Sequence, residues 1–189
     1  GGMVASDVHG KNHHVEGTFG NHVTRLRMRL ADDSIVDCSP SEHADLFWGT
    51  VGGMGLLGHI LEVSFQLQRI ASPWIWMVSE RVRNLDEFLT SLNDAAPRWP
   101  MTMGWIDCLS QGSTMGRGIM MAGRWATPDE APRNPPKDPP QVTFPIDLPN
   151  WALNPITASL FNDLYYWKHM AHRTAGVIAP EPFFYPLDA

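Results

Sequence analysis

Near the start of the chain, Asp7-Val8-His9-Gly10-Lys11-Asn12 gathers an acid, an imidazole, an ammonium and an amide around one glycine. Such a loop can bring backbone amides close to a flat ligand while its side chains face a reacting atom. A turn held only by the Asp7 and Asn12 side chains is the competing reading. His9, His13, His14, His22 and Cys38 also raise the question of a metal, because imidazole suits zinc, copper and iron. The pattern H-x-x-x-H-H in a glycine-rich loop lacks the helix that sets ligands four apart on one face, and no C-x-x-C accompanies it. The expectation is therefore no metal, with His13, His14 and His22 bonding to backbone.

A second candidate is GMGLLG, where Gly53, Gly55 and Gly58 match the G-x-G-x-x-G spacing of a dinucleotide-binding turn. That fingerprint needs a strand entering the glycines and a helix leaving them. Here Leu61, Val63, Phe65 and Leu67 alternate with Glu62, Ser64, Gln66 and Gln68, which predicts a half-buried strand over 59–69 with the apolar set inward. Upstream, Ser39-Pro40-Ser41-Glu42 reads as a capping box with proline at the first helical position, predicting a helix within 40–48. Both flanks argue against the nicotinamide reading.

The elements that must position these residues follow from periodicity. Residues 1–22 hold five Gly and four His without period and read as loop. Val23 to Leu30 alternates and turns back through Asp32-Asp33-Ser34 into Ile35 to Cys38, a hairpin. From about residue 70 the pattern changes. A strand around Trp74, Trp76 and Val78 precedes a helix capped by Asn84, with Leu85, Phe88, Leu89 and Leu92 on one face and Pro97 beyond it. Strands follow at Met101 to Ile106 and Gly118 to Trp125. This order predicts an α+β arrangement, an antiparallel sheet with helices on one face. Eight prolines between Pro128 and Pro149 predict the least ordered stretch, a lid or a passive surface loop. A last helix starts at Asn154-Pro155 with Ile156, Leu160, Leu164 and Trp167 on its apolar face, and APEPFFYPLDA reads as extended.

Composition bounds the function. A net charge of −6 and a pI near 5.7 disfavour a nucleic-acid surface, and 43% apolar content excludes general disorder. No apolar run approaches the about 20 residues of a membrane span. Cys38 and Cys108 imply no disulfide framework. With neither initiator Met nor signal peptide, the chain is expected to be a piece of a longer protein.

The stretches GGMVASDVHGKNHHVEGTFGNHV and ADLFWGTVGGMGLLGHI resemble the flavin-binding domain of the vanillyl-alcohol-oxidase superfamily, which is of the PCMH type. Within it the chain is most similar to the decaprenylphosphoryl-β-D-ribose 2′-oxidase family. The similarity extends to the FPIDLPN and DLYYWK stretches and the closing FFYPLD. The resemblance implies oxidation of a secondary alcohol on a sugar-like or lipid-linked sugar substrate, with FAD taking the hydride. It assigns residues 1–70 to the second half of a PCMH-type FAD-binding domain, and 71–189 to the first half of a substrate domain containing the proline-rich loop 128–149. It implies that the main pyrophosphate loop lies before this stretch and a catalytic lysine after it.

Carried onto this sequence, the resemblance places Gly1, Gly2, Ser6, Asp7, Val8, His9 and Ile60 against FAD, and lets the glycine loop pass close to the flavin. His9 and Lys11 become the catalytic pair. Gly10, Lys11, Trp105 and Tyr166 would face substrate, although Trp105 and Tyr166 also read as core. Ser6 stands where a close relative has cysteine, and Met103 where it has a small polar residue; the second difference bears on substrate identity. The location implied is cytoplasmic, with a periplasmic or substrate-mediated membrane-associated one as alternatives. A non-catalytic binding domain that keeps the fold is the competing function. The isolated chain is expected to lack flavin and to self-associate.

Overall fold

The computed structural model of the chain describes residues 1–137, 149, 152, 154–169 and 171–186. They fall into two compact units, Gly1–Arg69 and Ile70–Ala189.

The first unit is built on a sheet of order β2-β1-β3, with β1 at Val23–Arg29, β2 at Ile35–Cys38 and β3 at His59–Phe65, all antiparallel. Alternation in β1 sends Val23, Leu26 and Met28 inward, where they pack with Val4, Cys38 and Phe47. The β1–β2 turn closes as its sequence suggests. Asp33 takes φ of 66°, and the Asp32 carboxylate accepts from the Ser34 amide at 3.0 Å and its hydroxyl at 2.6 Å.

The strand after the glycines is present over His59–Phe65, shorter than 59–69, and of its expected inner residues only Val63 packs on the core. Val63 opposes Leu26 and Glu62 opposes Arg27, yet Met28 is opposed by Ile60, so Leu61 is the extra residue of a bulge. The bulge gives Ile60 the inward place expected of Leu61. Ile60 and Val63 pack on the core, while Leu61 and Phe65 are 49% and 44% exposed.

Two further differences are local. Residues 1–22 read as loop but contain single helical turns, α1 (Gly2–Ala5), α2 (His13–Glu16) and a 3-10 turn (Phe19–His22). Short-range bonds such as Ala5 N–H to Gly1 carbonyl form without any apolar period. The Ser39 hydroxyl accepts from the Ser41 and Glu42 amides and so closes a turn, not a helix cap. The helix α3 starts later, at Ala44–Thr50, after His43 in the left-handed region at φ 49°.

The second unit has a sheet of order β5-β6-β4-β7, with β4 at Ile75–Val82, β5 at Met101–Ile106, β6 at Gly118–Trp125 and β7 at Arg173–Ile178. All its pairings are antiparallel. Helix α4 (Leu85–Ala95) starts where Asn84 accepts the Glu87 amide at 2.9 Å. Leu89, placed on its apolar face by spacing, is 49% exposed.

Helices cover both faces of this sheet, not one. Along β6, Met120 and Ala122 pack with Phe88 of α4, whereas the alternate residues Ile119 and Met121 pack with Tyr166 of α5 (Pro155–Lys168). Gly104 on β5 has no side chain because a Cβ there would overlap the Phe88 ring. Helix α5 is also turned over relative to its apolar spacing: Ile156, Leu160, Leu164 and Trp167 are 81%, 59%, 64% and 57% exposed, and the side bearing Tyr166 meets the sheet. The closing segment expected to be extended forms α6 (Pro180–Phe184), with Pro180 at its start and Phe183 buried against Gly123. Of the stretch 128–149, expected to be least ordered, residues 138–148 lie outside the described residues.

Candidate functional site

In the first unit the loop that carries the acid, imidazole and ammonium is suspended by backbone bonds on both sides. The Val8 amide donates to the Met3 carbonyl at 3.1 Å, the Phe19 amide to the Val8 carbonyl at 2.8 Å, and His9 bridges to Thr18. Asp7 turns the chain at φ 41°, and its carboxylate accepts the Gly20 amide at 2.8 Å. That carboxylate is therefore a fastening within the protein.

The glycine segment docks onto the same loop. Gly52 and Met54 amides donate to the Val4 and Ala5 carbonyls at 3.0 and 2.9 Å. The path requires positive φ at Gly52 (73°), Met54 (53°), Gly55 (77°) and Gly58 (150°), a conformation that glycine adopts without steric cost. No helix follows, and β3 begins at His59, so the glycines shape a loop and are not a dinucleotide fingerprint. Gly1 lies beside Ile60, where a Cβ on Gly1 would be 3.9 Å from the Ile60 Cβ.

In this loop His9 is exposed, with Nδ1 3.3 Å from the Gly10 carbonyl and its ring 4.9 Å from that of His13. The His22 Nε2 lies 3.2 Å from the Glu16 carbonyl. Among the described residues, no group of three or more His, Cys, Asp or Glu side chains is arranged to hold a metal. Lys11 is half-buried, and burial lowers its ammonium pKa from the ordinary lysine value.

The second unit brings Trp105 and Tyr166 into one cluster with Ile119 and Met121, joined by Met103. Trp105 also meets the Tyr165 ring at 4.8 Å. Tyr166 is 6% exposed and lies between two guanidinium groups, Arg81 at 5.2 Å and Arg117 at 4.9 Å from its ring centre. Arg117 is held by Asp107 at 2.8 Å and by Asp163. Asp107 also accepts from Asn162 at 2.6 Å and from the Leu109 amide at 3.0 Å. Burial opposes ionisation of Asp107, but the bonds from Arg117, Leu109 and Asn162 outweigh it and hold the carboxyl below its usual value.

Sequence reasoning missed this network. Its members Asp107, Arg117, Asn162 and Asp163 are too far apart along the chain to leave a spacing signal, and each alone reads as surface.

No protein-family profile matches the chain. It is 32% identical, over 196 aligned residues covering all of it, to decaprenylphosphoryl-β-D-ribose oxidase of Mycolicibacterium smegmatis, and spans 42% of that protein's length. An FAD-linked oxidoreductase of Aspergillus niger is 33% identical over 57% of this chain and 18% of its own length. The Δ24-sterol reductase of Homo sapiens is 28% identical over 52% of this chain and 19% of its own. No described helix is long and apolar enough to cross a membrane. The chain is thus similar to one part, less than half in length, of decaprenylphosphoryl-β-D-ribose oxidase and of FAD-linked oxidoreductases.

Proposed function

We propose that the chain is part of an FAD-dependent oxidoreductase that oxidises a secondary alcohol on a sugar-like or lipid-linked sugar substrate. The observation that carries this reading is the relationship, along the whole chain, to an oxidase named for a phosphoryl-ribose. On this reading residues 1–70 belong to a PCMH-type flavin domain and 71–189 to a substrate domain.

The geometry of the first unit supports it. Gly1 and Gly2 are exposed, Gly2 has nothing within 4 Å of a would-be Cβ, and Ile60 adjoins Gly1. A flat ring can approach such backbone closely. Gly1, Gly2, Ser6, Val8, His9 and Ile60 would hold FAD, with Asp7 contributing main chain only because its carboxylate is committed to Gly20. FAD, when bound, supplies the acceptor for the hydride leaving the alcohol carbon.

The protein's own groups orient the alcohol. His9, Gly10 and Lys11 would face it, and the lowered pKa makes Lys11 easier to hold neutral than an ordinary lysine, which suits a group that takes up a proton. Trp105 and Tyr166 would line the substrate side. Met103, half-buried beside them, would narrow the space relative to a small polar residue.

Flavin absorbance tests the reading. The whole protein should show the visible band of oxidised flavin, and its absence would overturn the assignment. The 189-residue chain titrated with FAD should bind weakly and not stoichiometrically, because the family supplies most of the pyrophosphate cradle outside the residues matched here. Lys11→Ala in the whole protein should retain FAD and lose turnover. Turnover at the wild-type rate would remove the lysine from the mechanism.

A further inference from the structure

The second unit carries a cleft of about 470 Å³ between the start of α4, the 107–117 connection and the end of α5. Arg83 and Asn84 form one side, Ser113 and Thr114 another, and Arg117 with Tyr166 and Trp167 the third. We infer that this cleft is a subsite for a neutral, polyhydroxylated ring, a saccharide unit. The inference rests on the proposed sugar-like substrate and, besides Tyr166, adds residues that the resemblance does not assign.

The first argument is the supply of donors. Arg117 commits Nε and Nη2 to Asp107 and Asp163, leaving Nη1 without a protein partner among the described residues. Arg83 commits only Nε, to Glu87, while Asn84 uses its Oδ1 on the Glu87 amide and keeps Nδ2. The Ser113 hydroxyl also has no partner among the described residues, whereas that of Thr114 is engaged with Ser110 and Gln111. A surface rich in unspent N–H groups fits a ligand rich in acceptor oxygens.

Charge decides which kind. The two guanidinium groups that line the cleft are paired, Arg83 with Glu87 and Arg117 with both Asp107 and Asp163. A phosphate or carboxylate would face this neutralised field with little net attraction, whereas hydroxyls hydrogen-bond to fixed dipoles without needing net charge. The aromatic wall supplies the remaining contact. Trp167 is 57% exposed, and Arg81 lies 4.7 Å from its ring centre. An indole so held offers apolar area to the C–H face of a sugar ring at low entropic cost. Fixing Arg117 through buried Asp107 places its spare donor in advance, which reduces the ordering cost of binding.

Titration of the 189-residue chain with methyl β-D-ribofuranoside and methyl α-D-glucopyranoside, followed by NMR without flavin, tests the site. Saturable shifts of the Trp167 indole and the Ser113 and Thr114 amides are expected at millimolar concentration for at least one glycoside. Trp167→Ala should weaken that binding about tenfold with the melting temperature kept, since the side chain is largely exposed, and Trp48→Ala should not. No saturable shift up to about 100 mM glycoside would overturn the inference. So would unchanged affinity in Trp167→Ala, or inorganic phosphate shifting the same resonances more strongly than either sugar. Because no flavin or turnover enters the measurement, this outcome is independent of whether the oxidoreductase reading stands.

Discussion

The Asp7 carboxylate accepts the Gly20 amide at 2.8 Å, and that bond ties the turn before His9 to the segment leading into β1. Asp7 also holds a left-handed φ of 41°. The residue nearest the candidate chemistry is thus one that fixes the loop's shape. Replacing it should disturb the position of His9 and Lys11 before it disturbs any ligand.

Asp7→Ala leaves a part-buried amide without its charged acceptor and should cost about 1–3 kcal/mol in urea unfolding. Asp7→Asn keeps an acceptor oxygen and should lose less. Equal stability of all three proteins would show that the bond contributes nothing.

The bulge at Leu61 gives a prediction that simple alternation reverses. Leu61→Lys should change stability by no more than about 0.5 kcal/mol, because the side chain is already exposed. Val63→Lys places an ammonium against the β1 core and should cost about 2 kcal/mol or more. A matching loss at both sites would mean that Leu61 faces inward after all.

Lys11 should leave a mark on the pH dependence of stability. Burial lowers its pKa in the folded chain below the 10.5 of an ordinary lysine, so folding is penalised while the group is charged. The penalty is full below the lowered folded pKa and is relieved as pH rises from there towards 10.5. Lys11→Met should be more stable than wild type at neutral pH, and the gap should narrow in alkali. A pH-independent gap would rule out burial of the charge as its cause.

At the acid end the pair to watch is Arg124 with Glu130, bonded through both guanidinium termini at 2.8 and 2.7 Å. The Arg124 bonds, with the Thr127 amide, hold the Glu130 carboxyl at about 2, against 4.5 ordinarily. Its contribution is present above 4.5 and is lost as pH falls towards about 2. Glu130→Gln should flatten the acid limb of the stability curve over that window, measured by thermal unfolding from pH 5 to 2. An unchanged limb would show the pair to be inert.

Much of the backbone was legible because its signals are local. The β1–β2 turn is written in Asp32-Asp33-Ser34, the start of α4 in Asn84, and the failure of the dinucleotide motif in the strand after Gly58. What escaped depends on partners far along the chain. One inserted residue opposite Arg27 and Met28 puts Ile60 in place of Leu61 on the inner face of β3, and nothing near Leu61 announces it. The orientation of α5 could not be read from its apolar spacing, because Asn162, Asp163 and Tyr166 bond to residues of the β5–β6 connection and sheet. At the candidate site, the cluster from Asp7 to Lys11 was visible by composition. That the Asp7 carboxylate serves Gly20 was not.

Helix α5 meets its sheet through a buried tyrosine and a charged network, while its apolar stripe points outward. Lifting it would uncover Tyr166 together with Ile119 and Met121, while the outward stripe would stay as exposed as before. Added salt would screen the 49% exposed Asp163 carboxylate far more than the buried Asp107, so ionic strength acts on this contact through its outer carboxylate. Amide exchange within α5 measured across a salt series would register that dependence.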